Sequence, residues 1–186
     1  NAARFVLGTL EGVESLPLWS DEEGVRLPDA GDMDLTDRWI LSRLQRTMTG
    51  VLQSFTTYDM DDAVRALYSF VWDEFCDWYV EAAKPRLRGE GSSAEAVRSV
   101  LTHVLDRVLR LLHPVIPHIT EEIWQALRSS LGAGHGERSI MSALYPECRA
   151  EWINDTAEHR MDLLVNTVKG VRNVRAEFSV PPSRPG

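Results

Sequence analysis

The sequence has few of the features that mark catalytic, metal-binding or membrane-spanning proteins. No apolar run approaches the roughly 18 residues of a transmembrane helix, so we expect no membrane contact. Two cysteines, Cys76 and Cys148, are too few and too far apart for a disulfide framework or a zinc site, which favours a reducing cytoplasm. The patterns HExxH, GxGxxG and GxxxxGK[ST] are absent. We therefore predict no metal site, phosphate-binding loop or catalytic residue.

Cys76 is the one candidate for a reactive thiol. A cysteine nucleophile needs a nearby base and a lowered pKa. Aromatic and acidic residues surround Cys76 in the sequence, among them Phe75 and Asp77, and these raise the pKa of a thiol. We predict a buried structural cysteine and keep a thiol enzyme as an alternative.

Composition indicates a globular protein with one sizeable core. The chain has 186 residues, of which 44% are hydrophobic and 26% are charged. A net charge of −8 argues against nonspecific coating of nucleic acid. Any contact with nucleic acid then depends on local basic patches. The chain starts at Asn1 and ends in prolines, which we interpret as a segment of a longer protein.

Apolar residues recur at three- and four-residue steps over most of the chain, which is typical of amphipathic helices. After an irregular acidic connection over 11–35, we expect a helix capped by Thr36. The next helix runs from a cap at Asp59 to about Lys84, where Pro85 stops it. With no strand pattern that would build a sheet, the predicted class is an all-α bundle of about five or six helices.

Later helices follow from similar signals. A capping box of Ser92 and Glu95 predicts another helix start. The pair Glu121-Glu122 is expected in the first turn of a shorter helix, where acids offset the helix dipole. The last helix is expected over about 155–177.

The segment WDEFCDWYVEAAKPRL, residues 72–87, is the most aromatic part of the chain. Its apolar arc is too wide for a simple surface helix. We expect a central helix, the most buried of the bundle, with Trp72, Phe75 and Trp78 largely inaccessible.

Two groups of cations are the remaining signal for function. Lys84, Arg86 and Arg88 cluster at a predicted helix end; Lys169, Arg172 and Arg175 lie along the last helix. Cations are favourable at helix C-termini without any ligand, and they also bind phosphate. The residues alone leave both interpretations open.

Five segments, in this order, resemble one known family: NAARFVL, DRWILSRL, WDEFCDWYVEAAKPRL, LLHPVIPHITEEIWQAL and SIMSALYPE. They resemble the anticodon-binding helical domain of class I aminoacyl-tRNA synthetases of the valine, isoleucine and leucine subgroup. The third and fifth segments are similar to the valine branch in particular. The resemblance implies a helical bundle over 1–150. It also implies, over 151–186, the last helix and the start of a segment leading onward.

The resemblance also implies a function. The parent enzyme would join valine to tRNA(Val) with ATP, in the cytoplasm and as a monomer. The family's catalytic motifs HIGH and KMSKS are absent here, so this segment would hold no ATP or other cofactor and would not catalyse the reaction alone. It would bind the anticodon loop and stem. The positions that match the family's contact residues are Asn1, Arg4, Phe5, Val80, Lys84 and Arg86.

Two other interpretations remain open. The same domain from the isoleucine or leucine enzyme would share most of these segments. A helical scaffold for a protein partner would instead expose an apolar patch.

Overall fold

The computed structural model describes residues 1–13, 19–20, 24–89, 91–133 and 138–179. These residues form an all-α bundle, as predicted. The helices are α1 (Ala2–Gly8), α2 (Leu35–Thr56), α3 (Met60–Ser69), α4 (Glu81–Leu87), α5 (Ser92–Leu112), α6 (Pro117–Ser130) and α7 (Asp155–Glu177). A π-helix (Phe70–Val80) joins α3 to α4, and short 3-10 turns occupy Ile140–Ser142 and Ala150–Trp152.

Two very short strands interrupt the acidic connection over 11–35. Strand β1 (Trp19–Ser20) pairs antiparallel with β2 (Gly24–Val25). The prediction of no sheet missed this pair because two-residue strands leave no alternating pattern. Val25 and Met33 are buried, so this part of the connection is attached to the core. Residues 14–18 and 21–23 of the predicted connection lie outside the described residues.

Helix α2 begins at a different cap from the one predicted. Asp34, not Thr36, is the N-cap, because its carboxylate accepts a 3.0 Å hydrogen bond from the Asp37 backbone N–H. The Asp37 carboxylate accepts the Asp34 backbone N–H in return, also at 3.0 Å, which completes a capping box. Thr36 instead donates its hydroxyl hydrogen to Asp34.

Residues 60–87 are helical without a break, and we call α3, the π-helix and α4 together the composite helix. It starts after the Asp59 cap, as predicted. The predicted end at Lys84 is wrong, because the helix continues through Pro85 to Leu87. Arg86, beyond the proline, is held by Asp37 and Ser93, and these contacts keep the last turn helical.

The π-helix changes which aromatic residues face inward. With backbone bonds spanning five residues, Phe70, Phe75 and Val80 are buried at five-residue spacing. Trp72 is 57% exposed, and Trp78 is half-buried. The prediction that Trp72 and Trp78 are inaccessible is therefore wrong, because it assumed the shorter period of an α-helix.

Helix α5 is the central element of the bundle. Most of its residues are buried, and it contacts α1, α2, α3, α4, α6 and β2. The predicted central position of residues 72–84 is therefore corrected in favour of α5. The predicted capping box is also wrong: Gly91 is the N-cap, with φ of 88°, and no side chain caps this helix.

Helices α6 and α7 close the bundle. Pro117 is the first residue of α6, so Glu121 lies beyond the first turn and does not act on the helix dipole as predicted. Its carboxylate instead accepts hydrogen bonds from Ser139 and the Ile140 backbone. Helix α7 matches its predicted bounds and packs on α2. Residues 180–186, in the predicted onward segment, lie outside the described residues, and the boundary at residue 150 stays a prediction.

Candidate nucleic-acid interface

Two of the predicted contact residues meet on one surface although 79 positions separate them. The Lys84 ammonium nitrogen lies 6.0 Å from the centroid of the Phe5 ring, within the range of a cation–π contact. Val6 is fully buried and Leu10 nearly so, and they anchor this end of the chain in the core. Phe5 is only partly buried. The fold thus places an aromatic ring and a cation side by side at the surface.

Lys84 has a second neighbour that weakens its positive field. Its ammonium group donates a 2.5 Å hydrogen bond to the Glu81 carboxylate, three residues earlier in α4. Both side chains are exposed to solvent by about half, at 42% and 60%, so this pair contributes little to stability. A phosphate at this position would compete with Glu81 for the ammonium group.

Asn1 and Arg4 extend the same end of the molecule. Both are exposed. Asn1 is the N-cap of α1, and its side chain makes no capping hydrogen bond. The backbone carbonyl of Asn1 accepts the Phe5 N–H at 3.0 Å, which fixes the start of the helix. An amide, a guanidinium, a ring and an ammonium group therefore lie within or close to the first two turns of α1.

Arg86 is engaged inside the protein. Its guanidinium donates to the Asp37 carboxylate at 2.7 Å and lies 3.0 Å from the Asp34 carboxylate. Asp37 is fully buried and also accepts a 2.6 Å hydrogen bond from the Tyr79 hydroxyl. Burial and the Asp37 charge raise the pKa of Tyr79 well above its usual value, so this hydroxyl stays a donor. Arg86 is thus an anchor between α4 and α2.

Val80 offers almost no surface. Its side chain is 7% exposed and belongs to the core cluster. It lies in the last turn of the π-helix, immediately before α4. So small an exposed fraction leaves little of the Val80 side chain for direct contact with a ligand.

The basic residues of α7 remain a separate surface. Lys169 and Arg172 are exposed. The Arg172 guanidinium carbon lies 5.6 Å from the centroid of the Trp78 ring. This contact places the C-terminal half of α7 against the composite helix, a little over one turn before Lys84.

Cys76 has the environment of a structural thiol. It is only partly buried, so the prediction of a buried cysteine is wrong in that respect. Burial, with the neighbouring Asp77 charge, still raises its pKa. A raised pKa leaves little thiolate at neutral pH. Within the described residues no cluster of His, Cys, Asp and Glu has the arrangement of a metal site. None of the described helices is both long and apolar enough to cross a membrane.

Sequence reasoning missed two polar clusters. One is the buried set of Tyr79, Asp37 and Arg86, which come from distant parts of the chain and leave no local signal. The other is on α5, where Arg110 donates a 2.9 Å hydrogen bond to Asp106 and stacks near Trp19 and Trp124. The four-residue spacing of Asp106 and Arg110 was the available signal, since such pairs meet on one helix face.

Comparison with known proteins identifies the class of domain. A family model described as "Anticodon-binding domain of tRNA ligase" matches residues 37–185. This match spans most of the chain, and the chain belongs to that family. The individual relatives show which member of this family the chain is similar to. A valine–tRNA ligase of Thermotoga maritima is 45% identical over 184 residues, which is 99% of this chain and 19% of the relative.

Two further relatives carry the same printed name. The valine–tRNA ligase of Latilactobacillus sakei is 42% identical over 186 residues, covering 100% of this chain and 20% of that protein. The valine–tRNA ligase of Carboxydothermus hydrogenoformans is 42% identical over 186 residues, covering 100% and 19%. The chain therefore spans about a fifth of the length of these curated relatives.

Proposed function

We propose that this chain is the tRNA-recognition domain of a valine–tRNA ligase and binds the anticodon loop and stem of tRNA(Val). The observation that supports this best is the pairing of the Phe5 ring with the Lys84 ammonium group at the surface of a domain in this family. An aromatic ring beside a cation suits an unpaired base beside its phosphate.

Each surface group has a chemistry that fits one part of an RNA loop. The partly buried Phe5 ring stacks on a splayed base. Arg4 donates hydrogen bonds in a planar fork to a base edge, and Asn1 can both donate and accept there. Lys84 is a point charge on a flexible stem and suits phosphate. Valine anticodons end in A-C, so these two bases are the ones that the site distinguishes.

Arg86 and Val80 act from below this surface. Arg86 is a positioning residue: its ion pair with Asp37 holds the last turn of α4, and with it Lys84. Val80 fills the core beneath α4. Their replacement would move Lys84 relative to Phe5 instead of removing a contact with RNA.

The parent protein would attach valine to tRNA(Val) with ATP in the cytoplasm, and this chain would supply the recognition step as a monomer. The motifs HIGH and KMSKS are not in the sequence. The purified chain should therefore show no valine-dependent exchange of pyrophosphate into ATP. Such exchange would overturn the assignment of a non-catalytic role to this chain.

A binding titration tests the recognition of tRNA(Val) directly. The ligands are a tRNA(Val) transcript, the same transcript with the last two anticodon bases replaced, and a tRNA(Ile) transcript, each at several salt concentrations. We expect the unaltered tRNA(Val) to bind tightest, and log K to fall with log salt. Equal affinity for all three would overturn anticodon recognition. A salt slope near zero would overturn contact with phosphate.

A further inference from the structure

The first half of the composite helix carries an exposed apolar stripe outside the proposed RNA surface around Phe5 and Lys84. Val64, Tyr68 and Trp72 recur at four-residue steps and are 37%, 64% and 57% exposed. The rings of Tyr68 and Trp72 are nearly parallel, at an interplanar angle of 4° with centroids 6.1 Å apart. Side chains this large seldom stay clustered on a surface without a partner. We call Val64, Tyr68 and Trp72 the apolar stripe.

Exposed carboxylates precede and follow the apolar stripe in the sequence. Between residues 59 and 77 the exposed acids are Asp59, Asp61, Asp62, Asp73 and Asp77. Arg65 is the sole cation of that stretch of sequence. Its guanidinium lies 3.6 Å from Asp61 and 3.8 Å from Asp62, so its charge is largely offset. The stripe therefore lies in a region of strong negative charge.

This charge decides among the classes of partner. RNA is disfavoured, because its phosphates would face the carboxylates. Trp72, the member of the stripe nearest to Lys84 in the sequence, is also twelve residues away from it. A symmetric pair of copies is disfavoured too, because in a two-fold contact the same acids of both chains would face one another.

We propose that the apolar stripe is a docking surface for a basic amphipathic helix of another polypeptide. Residues at four-residue steps form a ridge that fits the groove of a second helix. Apolar side chains of the partner would cover Tyr68 and Trp72, and its Lys and Arg side chains would pair with Asp61, Asp62 and Asp73. The stacked aromatic pair supplies the affinity, and the carboxylates select the sign of the partner's charge.

Two labelled model peptides test this surface on the 186-residue chain. Both have leucines at helical spacing and about 18 residues, long enough to form helix in water; one carries lysines beside the leucines and the other carries glutamates. We expect the lysine peptide to bind at least about tenfold more tightly than the glutamate peptide. Equal binding of both peptides would overturn the charge selection.

Variants locate the binding. The double variant Tyr68→Ala with Trp72→Ala should bind the lysine peptide at least about tenfold more weakly than the wild type does. A triple variant should reduce the preference for the lysine peptide over the glutamate peptide. Its substitutions are Asp61→Asn, Asp62→Asn and Asp73→Asn. The matched control is Leu163→Ala with Leu164→Ala, a pair of exposed apolar residues on α7, which should leave affinity unchanged. Circular dichroism confirms that each variant is folded.

Three results would overturn the proposal. The first is an equal loss of peptide binding in the α7 control, which would indicate nonspecific adsorption. The second is self-association of the wild-type chain that Tyr68→Ala with Trp72→Ala abolishes, which would assign the stripe to a second copy. The third is a loss of tRNA(Val) affinity in that double variant, which would assign it to RNA. Either of the last two would leave the proposed anticodon site intact.

Discussion

The Tyr79 hydroxyl donates a 2.6 Å hydrogen bond to the Asp37 carboxylate, and this contact joins the π-helix to the first turn of α2. Arg86 donates to the other oxygen of the same carboxylate at 2.7 Å. Asp37 is thus a buried charge that depends on donors from two parts of the composite helix. The position of α4, and of Lys84 on it, depends on this arrangement.

Tyr79→Phe should therefore destabilise the protein by about 1.5–3 kcal/mol, the range for hydrogen bonds to a charged group. The ring still fills its site in the core, so the decrease in the free energy of unfolding comes from the lost hydroxyl alone. Urea unfolding measures this decrease. Tyr145→Phe is the matched control, since that hydroxyl makes only a long 3.4 Å hydrogen bond to the Leu111 carbonyl. A cost for Tyr79→Phe no larger than that for Tyr145→Phe would contradict this account of Asp37.

Gly24 packs directly against a buried ion pair on α5. Its φ is 75°, and a Cβ at this position would overlap the Asp106 carboxylate. Gly12 has a similar φ of 68°, and no atom lies within 4 Å of the Cβ it would gain. Gly12→Ala thus reports backbone strain alone, about 1 kcal/mol. Gly24→Ala should cost about 1–3 kcal/mol more because of the clash. Equal urea midpoints for the two variants would contradict the close packing.

Trp72 and Phe75 should differ sharply in their effect on stability although both are aromatic residues of the π-helix. Phe75 is 2% exposed and lies in the core. Phe75→Ala should cost about 3–5 kcal/mol through lost burial and a cavity. Trp72→Ala should cost less than about 1 kcal/mol, because Trp72 is mostly exposed. Thermal unfolding of both variants checks which side chains of the π-helix face inward. Comparable losses of stability would mean that Trp72 is also buried, as the α-helical period predicts.

Local signals in the sequence predicted most of the helices but not the π-helix. The Asp59 cap and the bounds of α7 were predictable, because caps and apolar periods involve residues close in sequence. The exposure of Trp72 was not, because the π-helix replaces a 3.6-residue period with a longer one. The segment fits both periods, because Phe75 and Tyr79 are four residues apart while Phe70, Phe75 and Val80 are five apart.

The candidate site was predictable in its residues but not in its geometry. The family resemblance selected Phe5 and Lys84, yet their contact arises only when α1 and α4 both pack against α5. The resemblance also selected Arg86, whose partner Asp37 is 49 residues earlier. The ion pair between Arg86 and this buried carboxylate on α2 forms only in the folded structure. The sequence around Arg86 therefore does not predict it.

His103 should make stability depend on pH near neutrality. It is buried on α5, and its Nδ1–H donates to the Val25 carbonyl at 3.1 Å. Burial, with the charge of Arg107, lowers the pKa of His103 to about 3. Below about pH 6.5 the unfolded chain binds a proton at this residue and the folded chain does not, so stability falls as pH falls.

Between pH 7.5 and pH 5 this proton uptake should cost about 2 kcal/mol. The dependence should disappear in His103→Asn, whose amide can still donate to the Val25 carbonyl. Urea unfolding at the two pH values measures the difference. His118→Asn, which replaces an exposed histidine, is the matched control and should keep the wild-type dependence. If His103→Asn also keeps it, His103 is not the residue responsible.

The last prediction divides the RNA surface by role and rests on the proposed function. Phe5→Ala should weaken binding of tRNA(Val) by about 1–3 kcal/mol, the range for one base stacked on an aromatic ring. Arg4→Ala should act in the same direction through lost donors to a base edge. Both should reduce the preference for tRNA(Val) over the transcript altered in the last two anticodon bases, because the lost contacts are with bases.

Lys84→Ala should behave differently because its proposed contact is a phosphate. This variant should weaken the binding of both transcripts about equally. It should also reduce the slope of log K against log salt by about one. Arg65→Ala, which removes an exposed cation from the acidic half of the composite helix, is the matched control and should leave both affinities unchanged. Titrations at two salt concentrations separate these outcomes.

If Phe5→Ala binds like wild type but melts much lower, Phe5 is a core residue. If Lys84→Ala alters discrimination more than Arg4→Ala does, the two roles are reversed.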